Sequence, residues 1–95
     1  MQTIPEQCEV YRSTPEFDET SIPAGLLGDH RTKAGTWGRI VVLAGRLHYH
    51  IVEPLPEHLL LEPGHDGVVE PTMLHRVEAD GPVRFRVDFL RAETR

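Results

Sequence analysis

Apolar and polar residues alternate along much of this chain with the period of a β-strand. Between residues 83 and 89 every second residue is apolar, which predicts a strand that buries Val83, Phe85, Val87 and Phe89. Residues 47–51 alternate in the same way. Helical periodicity never extends beyond a turn or two. The pattern therefore predicts an all-β protein.

The centre of the chain predicts a β-hairpin. Residues 38–43 are short and rich in β-branched side chains, which favours a strand over a helix. Ala44 and Gly45 supply the turn, because glycine reaches a positive φ without a steric penalty. Residues 47–51 then form the returning strand.

A two-residue turn at this point fixes which side chains face the core. Val42 then lies opposite Leu47, and Ile40 lies opposite Tyr49, with all four directed inward. The outer face carries the alternate residues of the two strands: Val41, Leu43, His48 and His50. A turn longer or shorter by one residue reverses this assignment.

Shorter predicted strands flank the hairpin. They are assigned to residues 8–12, 26–30, 58–62, 68–70 and 75–78. Eight Pro and eight Gly separate them, with a turn predicted at Asp80-Gly81-Pro82. Many short strands at regular spacing are typical of a β-sandwich or barrel.

Length and composition narrow the class of protein. A chain of 95 residues is expected to form one domain over residues 1–95 with one modest core. The net charge of −5 argues against a nucleic-acid partner, which requires a basic face. A single cysteine, Cys8, fits a reducing compartment. Because no apolar run approaches the length of a membrane span, we expect no membrane partner and a cytoplasmic location.

Two of the six histidines are placed for chemistry. His30 begins a loop ahead of the central strand, and His75 follows a turn that leads into another strand. Imidazoles from two strands near the mouth of a barrel are common ligands of transition metals. The alternative is that each is a hydrogen-bonded histidine at a strand end.

Two long segments of the chain resemble a known family. They are PAGLLGDHRTKAGTWGRIVVLAGRLHYH at residues 23–50 and VVEPTMLHRVEADGPVRFRVDF at residues 68–89. Their most specific parts are H-x-T-K-x-G-T-W-G from His30, the glycine Gly45, and E-P-x-x-x-H-R-V-E from Glu70. Over about residues 9–90 the chain is similar to the small TehB-like/YeaR-like cupins. In that family the domain stands alone or precedes the methyltransferase of a tellurite-resistance protein.

This resemblance implies a single cupin domain, a jelly-roll barrel, and an incomplete metal site. Cupins commonly bind a divalent metal through histidines and one carboxylate. His75 matches the histidine of the second motif, and His30 is the histidine available before the central strand. The carboxylate would fall near Gly38, which has no side chain. The resemblance therefore implies a two-histidine site for Zn, Ni, Fe or Cu, completed by another residue, water or a ligand.

Five other residues are candidates for the cavity around this pair. Tyr49 is expected inside, and Trp37 is expected either to cap the barrel or to form part of a ligand wall. Lys33 and Arg39 favour a small anionic ligand at the mouth, unless they are solvated loop charges. Glu70 is a candidate ligand or base, with an exposed acid as the alternative.

His48 and His50 are secondary candidates. They either complete a metal cluster or lie on the outer face as surface or subunit contacts. Apolar side chains on that face, Val41 and Leu43, predict a homodimer, because association would cover them.

Two functions follow from these candidates. The first is a non-enzymatic cupin that binds a metal, an oxyanion or a small molecule, linked to stress or tellurite-type resistance and without the methyltransferase module. The alternative is a metal-dependent enzyme, such as a dioxygenase or isomerase, that uses His30 and His75. The absence of a complete catalytic set favours the first.

Overall fold

Two long antiparallel strands form the centre of a single sheet. The structure is a computed structural model that describes residues 1–92, so the last three residues of the predicted domain lie outside it. The two central strands are β4 (Trp37–Glu53) and β7 (Leu74–Ala92), of 17 and 19 residues. They pair along most of their length, from Trp37 opposite Leu90 to Glu53 opposite Leu74. The prediction of an all-β protein is confirmed.

Short strands extend this pair on both sides. Those that pair with β7 are β1 (Cys8–Ser13), β2 (Phe17–Asp18) and β3 (His30–Arg31). Those that pair with β4 are β5 (Glu57–Leu61) and β6 (Gly67–Val69). The strand order β1-β7-β4-β5 has two ends, so within residues 1–92 the barrel is not closed.

The predicted hairpin at Ala44-Gly45 is wrong, because β4 continues through these residues as one strand. Val42 lies opposite Phe85 instead of Leu47, since the partner of both halves of β4 is β7. Ile40 lies opposite Val87, and Tyr49 is likewise paired elsewhere. A glycine with a positive φ is compatible with a β-bulge as well as with a turn, and Gly45 is part of a bulge.

The bulge at Gly45 explains why the predicted faces are nevertheless right. The ladder between β4 and β7 shifts register on both sides of Gly45, which has a φ of 75°. An extra residue changes the parity of the side chains, so Val42 and Leu47 both point inward although five positions apart. Ile40, Val42, Leu47 and Tyr49 are all buried. A Cβ on Gly45 would lie 2.0 Å from the carbonyl oxygen of Pro82, which excludes any other residue.

Two further local predictions are wrong. Asp80-Gly81-Pro82 does not end a strand, since β7 runs through it opposite the bulge of β4. The strand predicted at residues 26–30 is instead a one-turn helix, α1 (Ala24–Leu27), followed by β3. Pro23 precedes this helix, where a fixed φ and a missing N–H are tolerated.

The core lies on the inner face of the curved sheet. Tyr49, Leu47 and Phe85 are completely buried there. Val83 and Val87 are buried as predicted, whereas Phe89 is only partly buried because it borders an open cavity. On the outer face Val41 is half-buried and Leu43 is exposed. The homodimer that would cover them stays a prediction.

The helical content of the described chain is one short turn. None of the helices in residues 1–92 is long and apolar enough to cross a membrane. The cytoplasmic location stays a prediction.

Candidate functional site

The structure places His30 and His75 directly opposite each other. They are Cα partners in the ladder between β3 and β7. Their ring centroids lie 5.5 Å apart with the planes at 72°. His30 is exposed, whereas His75 is only 5% exposed. The pair therefore joins the surface to the interior.

One hydrogen bond fixes the tautomer of His75. Its Nδ1 lies 3.1 Å from the carbonyl oxygen of Met73. Since a carbonyl only accepts, Nδ1 carries the proton and Nε2 keeps its lone pair. Burial lowers the pKa of His75, the bond to Met73 opposes this, and the neighbouring His30 adds to the lowering. The ring is thus held neutral, with Nε2 available to accept a hydrogen bond or to bind a metal.

His75 and His30 border a cavity of about 300 Å³. Its volume is at the lower end of the range for pockets that hold small organic molecules. Most of its wall is apolar and comes from α1, β4, β6 and β7: Leu26, Ile40, Val69, Val77, Phe85, Val87 and Phe89.

The charged side chains on this wall are basic. They are Arg12, Arg31 and Lys33, and the described part of the wall includes no Asp or Glu. Arg31 is partly committed, since it donates to the carbonyl of Thr72 at 2.9 Å and pairs with Glu53 at 3.2 Å. The charged groups on the cavity wall are therefore positive, although the net charge of the chain is negative.

Thr32 contributes a buried polar group without a partner. Its side chain is 8% exposed and lines the cavity. Among the buried side-chain atoms of residues 1–92, its Oγ1 alone lacks a hydrogen bond. Its backbone N–H donates to Met73 O at 3.1 Å, the same carbonyl that receives His75 Nδ1. An unsatisfied hydroxyl thus lies beside the histidine pair. A buried hydroxyl without a hydrogen bond costs about 1–3 kcal/mol of stability.

The residues present do not supply the carboxylate that cupins commonly add to their histidine ligands, and the two-histidine site stays a prediction. Gly38 lines the cavity, and a Cβ there would lie 3.1 Å from Val69 Cβ, so the wall is already filled where a carboxylate would begin. No group of three or more His, Cys, Asp or Glu side chains able to hold a metal ion occurs in the described chain. His30 and His75 remain as two ligands without a carboxylate.

Tyr49 lies behind the pair. Its ring centroid is 5.9 Å from that of His75, and its hydroxyl donates to the carbonyl of Val68 at 2.9 Å and also contacts Met73 Sδ at 3.2 Å. Burial, aided by Glu70 and Glu57, raises the pKa of Tyr49. The side chain therefore supports His75 and does not reach the cavity wall.

The other candidates lie around this centre with unequal access to it. Lys33 is on the cavity wall, whereas Trp37, Arg39 and Glu70 are not among the lining residues in the described chain. Trp37 begins β4 opposite Leu90, and Arg39 pairs with Asp88 and Val68 along the sheet. Glu70 accepts a hydrogen bond from the backbone of Gln2 at 3.4 Å.

His48 and His50 lie on the outer face, away from the cavity. There they meet His58 of β5, which is the Cα partner of His50. The ring of His58 stacks on His50 at 4.4 Å and lies 5.0 Å from His48. Burial, followed by the charge of His58, lowers the pKa of His50. The chain thus has two separate histidine groups.

Sequence reasoning missed three contributors to these groups. Thr32 was read only as part of a loop motif, because nothing local shows that its hydroxyl is unpartnered. For Arg12 the sequence predicts only a place in the strand 8–12, with nothing to indicate a cavity beside it. For His58 it predicts only a place in the strand 58–62, although the predicted strands 47–51 and 58–62 are close enough in sequence to suggest a pairing.

Comparison with known proteins identifies related domains. A family model described as TehB-like domain matches residues 12–87. The Haemophilus influenzae Rd protein named probable S-adenosyl-L-methionine-dependent methyltransferase TehB is 34% identical over 73 residues, which cover 73% of this chain. The match covers only 26% of that protein, so the chain spans about a quarter of its length. The uncharacterized protein YeaR of Escherichia coli K12 is 31% identical over 97% of this chain and 85% of its own length.

Solved structures share the fold. A crystal structure of a protein from Escherichia coli K12 has a TM-score of 0.85 at 30% identity, and covers 99% of this chain and all of its own. TehB from Haemophilus influenzae also has a TM-score of 0.85, at 27% identity over 92% of this chain and 32% of its own. Hydroxypropylphosphonic acid epoxidase from S. wedmorenis has a TM-score of 0.55 at 20% identity, over 80% of this chain and 40% of its own, which bears on the fold alone. The cupin-type jelly-roll prediction is confirmed.

Proposed function

We propose that this chain, which belongs to the TehB-like family, binds a small organic anion with an apolar body in its inner cavity. The observation that carries the proposal is the composition of the cavity wall. It combines seven apolar side chains with three cations and an unpartnered hydroxyl. Ligand pockets commonly pair an apolar lining with a few polar groups that orient the ligand.

Each part of the wall has a role in this proposal. Phe85, Phe89 and their aliphatic neighbours exclude water from the body of the ligand. Lys33 and Arg12 attract its negative charge, and interactions between charges gain strength in a partly buried site. Thr32 Oγ1 donates to an oxygen of the ligand once a rotation of the side chain turns it toward the cavity, and thereby satisfies a group that the protein alone leaves unpaired.

A divalent metal ion held by His30 and His75 is the second candidate. The observation that favours it is the bond from His75 Nδ1 to Met73, which leaves Nε2 as a lone-pair donor beside His30. Against it stand the three cations on the wall and the missing carboxylate, since like charges repel.

A set of three ligands with one shape and different charges tests the anion proposal. Benzoate, benzyl alcohol and benzylamine are titrated into the purified chain, and binding is followed by isothermal titration calorimetry and ligand-observed NMR. We expect benzoate to bind most tightly and benzylamine least. Tellurite, a smaller oxyanion, is added as a further probe of the same site.

Matched variants connect the binding to the cavity. Lys33→Gln is expected to weaken benzoate binding about 5-fold to 10-fold, the loss of roughly 1 kcal/mol of charge attraction. Arg46→Gln removes an exposed cation that pairs with Asp80 outside the cavity, and should leave the affinity unchanged. Equal affinity for the three ligands contradicts the proposal. Zn²⁺ binding that is lost in both His30→Ala and His75→Ala would establish the second candidate instead.

A further inference from the structure

The outer histidine group contains a preformed pair of nitrogens that the proposed function does not use. His48 Nδ1 and His58 Nε2 lie 2.8 Å apart across β4 and β5. His48 is a diagonal neighbour of His58, since the direct Cα partner of His48 in β5 is Leu60. Both residues belong to strands with regular pairing, so the backbone holds their Cα atoms in place.

The second nitrogen of His48 faces a carboxylate. Its Nε2 lies 3.4 Å from Asp80 Oδ1, while the other oxygen of Asp80 is 3.1 Å from Arg46 Nε. The negative charge of Asp80 favours the tautomer of His48 with its proton on Nε2, which leaves Nδ1 with a lone pair directed at His58. A carboxylate that orients a histidine from behind is the usual arrangement at histidine metal ligands.

The separation of the two nitrogens suits a shared metal ion. Two nitrogens bound to one ion at about 2.0–2.1 Å lie roughly 2.8–3.4 Å apart when the angle at the ion is about 90–109°. The observed 2.8 Å is close to the short end of this range, so a small outward rotation of either ring admits an ion. His50 cannot join them in its present orientation, because its ring is stacked on His58 with the planes at 14°.

We propose that His48 Nδ1 and His58 Nε2 together bind one divalent transition-metal ion, such as Zn²⁺, Ni²⁺ or Cu²⁺, with Asp80 as a positioning residue. These ions favour imidazole ligands. The proton on His58 Nε2 moves through water to His58 Nδ1, so both rings stay neutral and Nε2 gains its lone pair. Water molecules complete the coordination on this exposed face. Glu78, the Cα partner of His48, adds a second acid nearby.

Titration with Zn²⁺ tests this site in the complete chain without a polyhistidine tag. Calorimetry is expected to show one ion per chain for the wild type. His58→Ala and His48→Ala should each lower the affinity at least about 10-fold, because one ligand alone holds an ion weakly. Asp80→Asn should lower it about 10-fold, in the range observed when a supporting carboxylate is lost. Circular dichroism confirms that each variant is folded.

A control variant separates this site from other exposed histidines. His65→Ala removes an exposed histidine of a turn, and it should bind Zn²⁺ with an affinity within about 2-fold of the wild type, since His65 does not contact the outer pair. His30→Ala reports separately on the inner pair, which is the competing location for the ion. Nitrogen-15 NMR of the imidazoles should show the largest changes at His48 Nδ1 and His58 Nε2. The proposal is overturned if His58→Ala binds Zn²⁺ as tightly as the wild type, or if His30→Ala no longer binds Zn²⁺. Neither result bears on the proposed binding of benzoate in the cavity.

Discussion

The two histidine groups lie on opposite faces of one sheet and differ in the charged residues that surround them. The inner pair, His30 and His75, borders a cavity whose charged side chains are basic. The outer group lies on an accessible face beside the acids Asp80 and Glu78. An imidazole can serve either an anion or a metal cation. The carboxylates of Asp80 and Glu78, which the described cavity wall lacks, are the groups that favour a cation at the outer face in our proposal, although Arg46 and Arg76 also lie there.

The bulge at Gly45 lets both halves of β4 bury their apolar side chains on one face, and the largest expected effect is there. Gly45→Ala places a Cβ 2.0 Å from Pro82 O and forces alanine to a φ of 75°. We expect a loss of about 3 kcal/mol or more in the free energy of unfolding, from backbone strain combined with the steric clash. Urea denaturation followed by circular dichroism measures it.

Gly64→Ala is the matched control for this variant. Gly64 also has a positive φ, of 92°, but a Cβ there meets nothing within 4 Å. Its cost should therefore be limited to the conformational strain, about 1 kcal/mol. If the two variants lose equal stability, the contact with Pro82 does not define the bulge.

The next effect is the dependence of stability on pH. Because burial lowers the pKa of His75 in the folded state, the unfolded chain takes up the proton first as pH falls below about 6.5. The contribution of neutral His75 to the free energy of unfolding is thus complete above about pH 6.5. Below that pH it declines, by at most about 1.4 kcal/mol per pH unit for one proton. Urea denaturation between pH 7 and pH 5 should show this decline.

Variants assign this decline to one face. His75→Gln should remove more of the slope than His50→Gln, because His75 is buried whereas His50, whose pKa is also lowered mainly by burial, is only half-buried. An unchanged slope in His75→Gln would show that the inner histidine does not titrate with folding. The comparison of the two faces would then lose its electrostatic basis.

A smaller effect of opposite sign is expected at Thr32. Thr32→Val removes a buried hydroxyl that has no partner in the described chain, so we expect the unliganded protein to gain about 1 kcal/mol of stability. The same change should weaken benzoate binding about 10-fold, since the ligand loses a donor. Stability and affinity therefore move in opposite directions, which a purely structural role does not produce.

Thr36→Val provides the control for this pair of measurements. Thr36 is buried and also lines the cavity, but its hydroxyl already bonds to Tyr11 at 3.4 Å. Its replacement should slightly lower stability instead of raising it. A stability gain in both variants would mean that burial of any hydroxyl here is unfavourable, independent of a ligand.

The local pattern of the sequence predicted faces more reliably than connections. The alternation at residues 47–51 assigned Tyr49 to the core and His48 to the outer face, because side-chain parity is a local property. Gly45 was assigned to a turn, since a positive φ suits a turn and a bulge equally. The choice between them depends on the strand that pairs across it, which is β7 and lies more than thirty residues later.

More of the inner site than of the outer site could be predicted from the sequence. The family motifs contained His30 and His75, and the structure shows them as direct partners. The pairing of His48 with His58 depends on the register between β4 and β5, which no single strand specifies. The unpartnered state of Thr32 depends on every group around it. Both are tertiary properties.

The most direct test of the central claim is a pair of titrations followed by NMR on one isotope-labelled sample. Benzoate should shift the backbone amides of the cavity wall, such as Thr32 and Val69, and leave the outer face unchanged. Zn²⁺ should instead shift the imidazole nitrogens of His48 and His58. Zn²⁺ that first perturbs His30 and His75, or benzoate that perturbs only the outer face, would contradict the assignment of an anion to the inner face and a cation to the outer face.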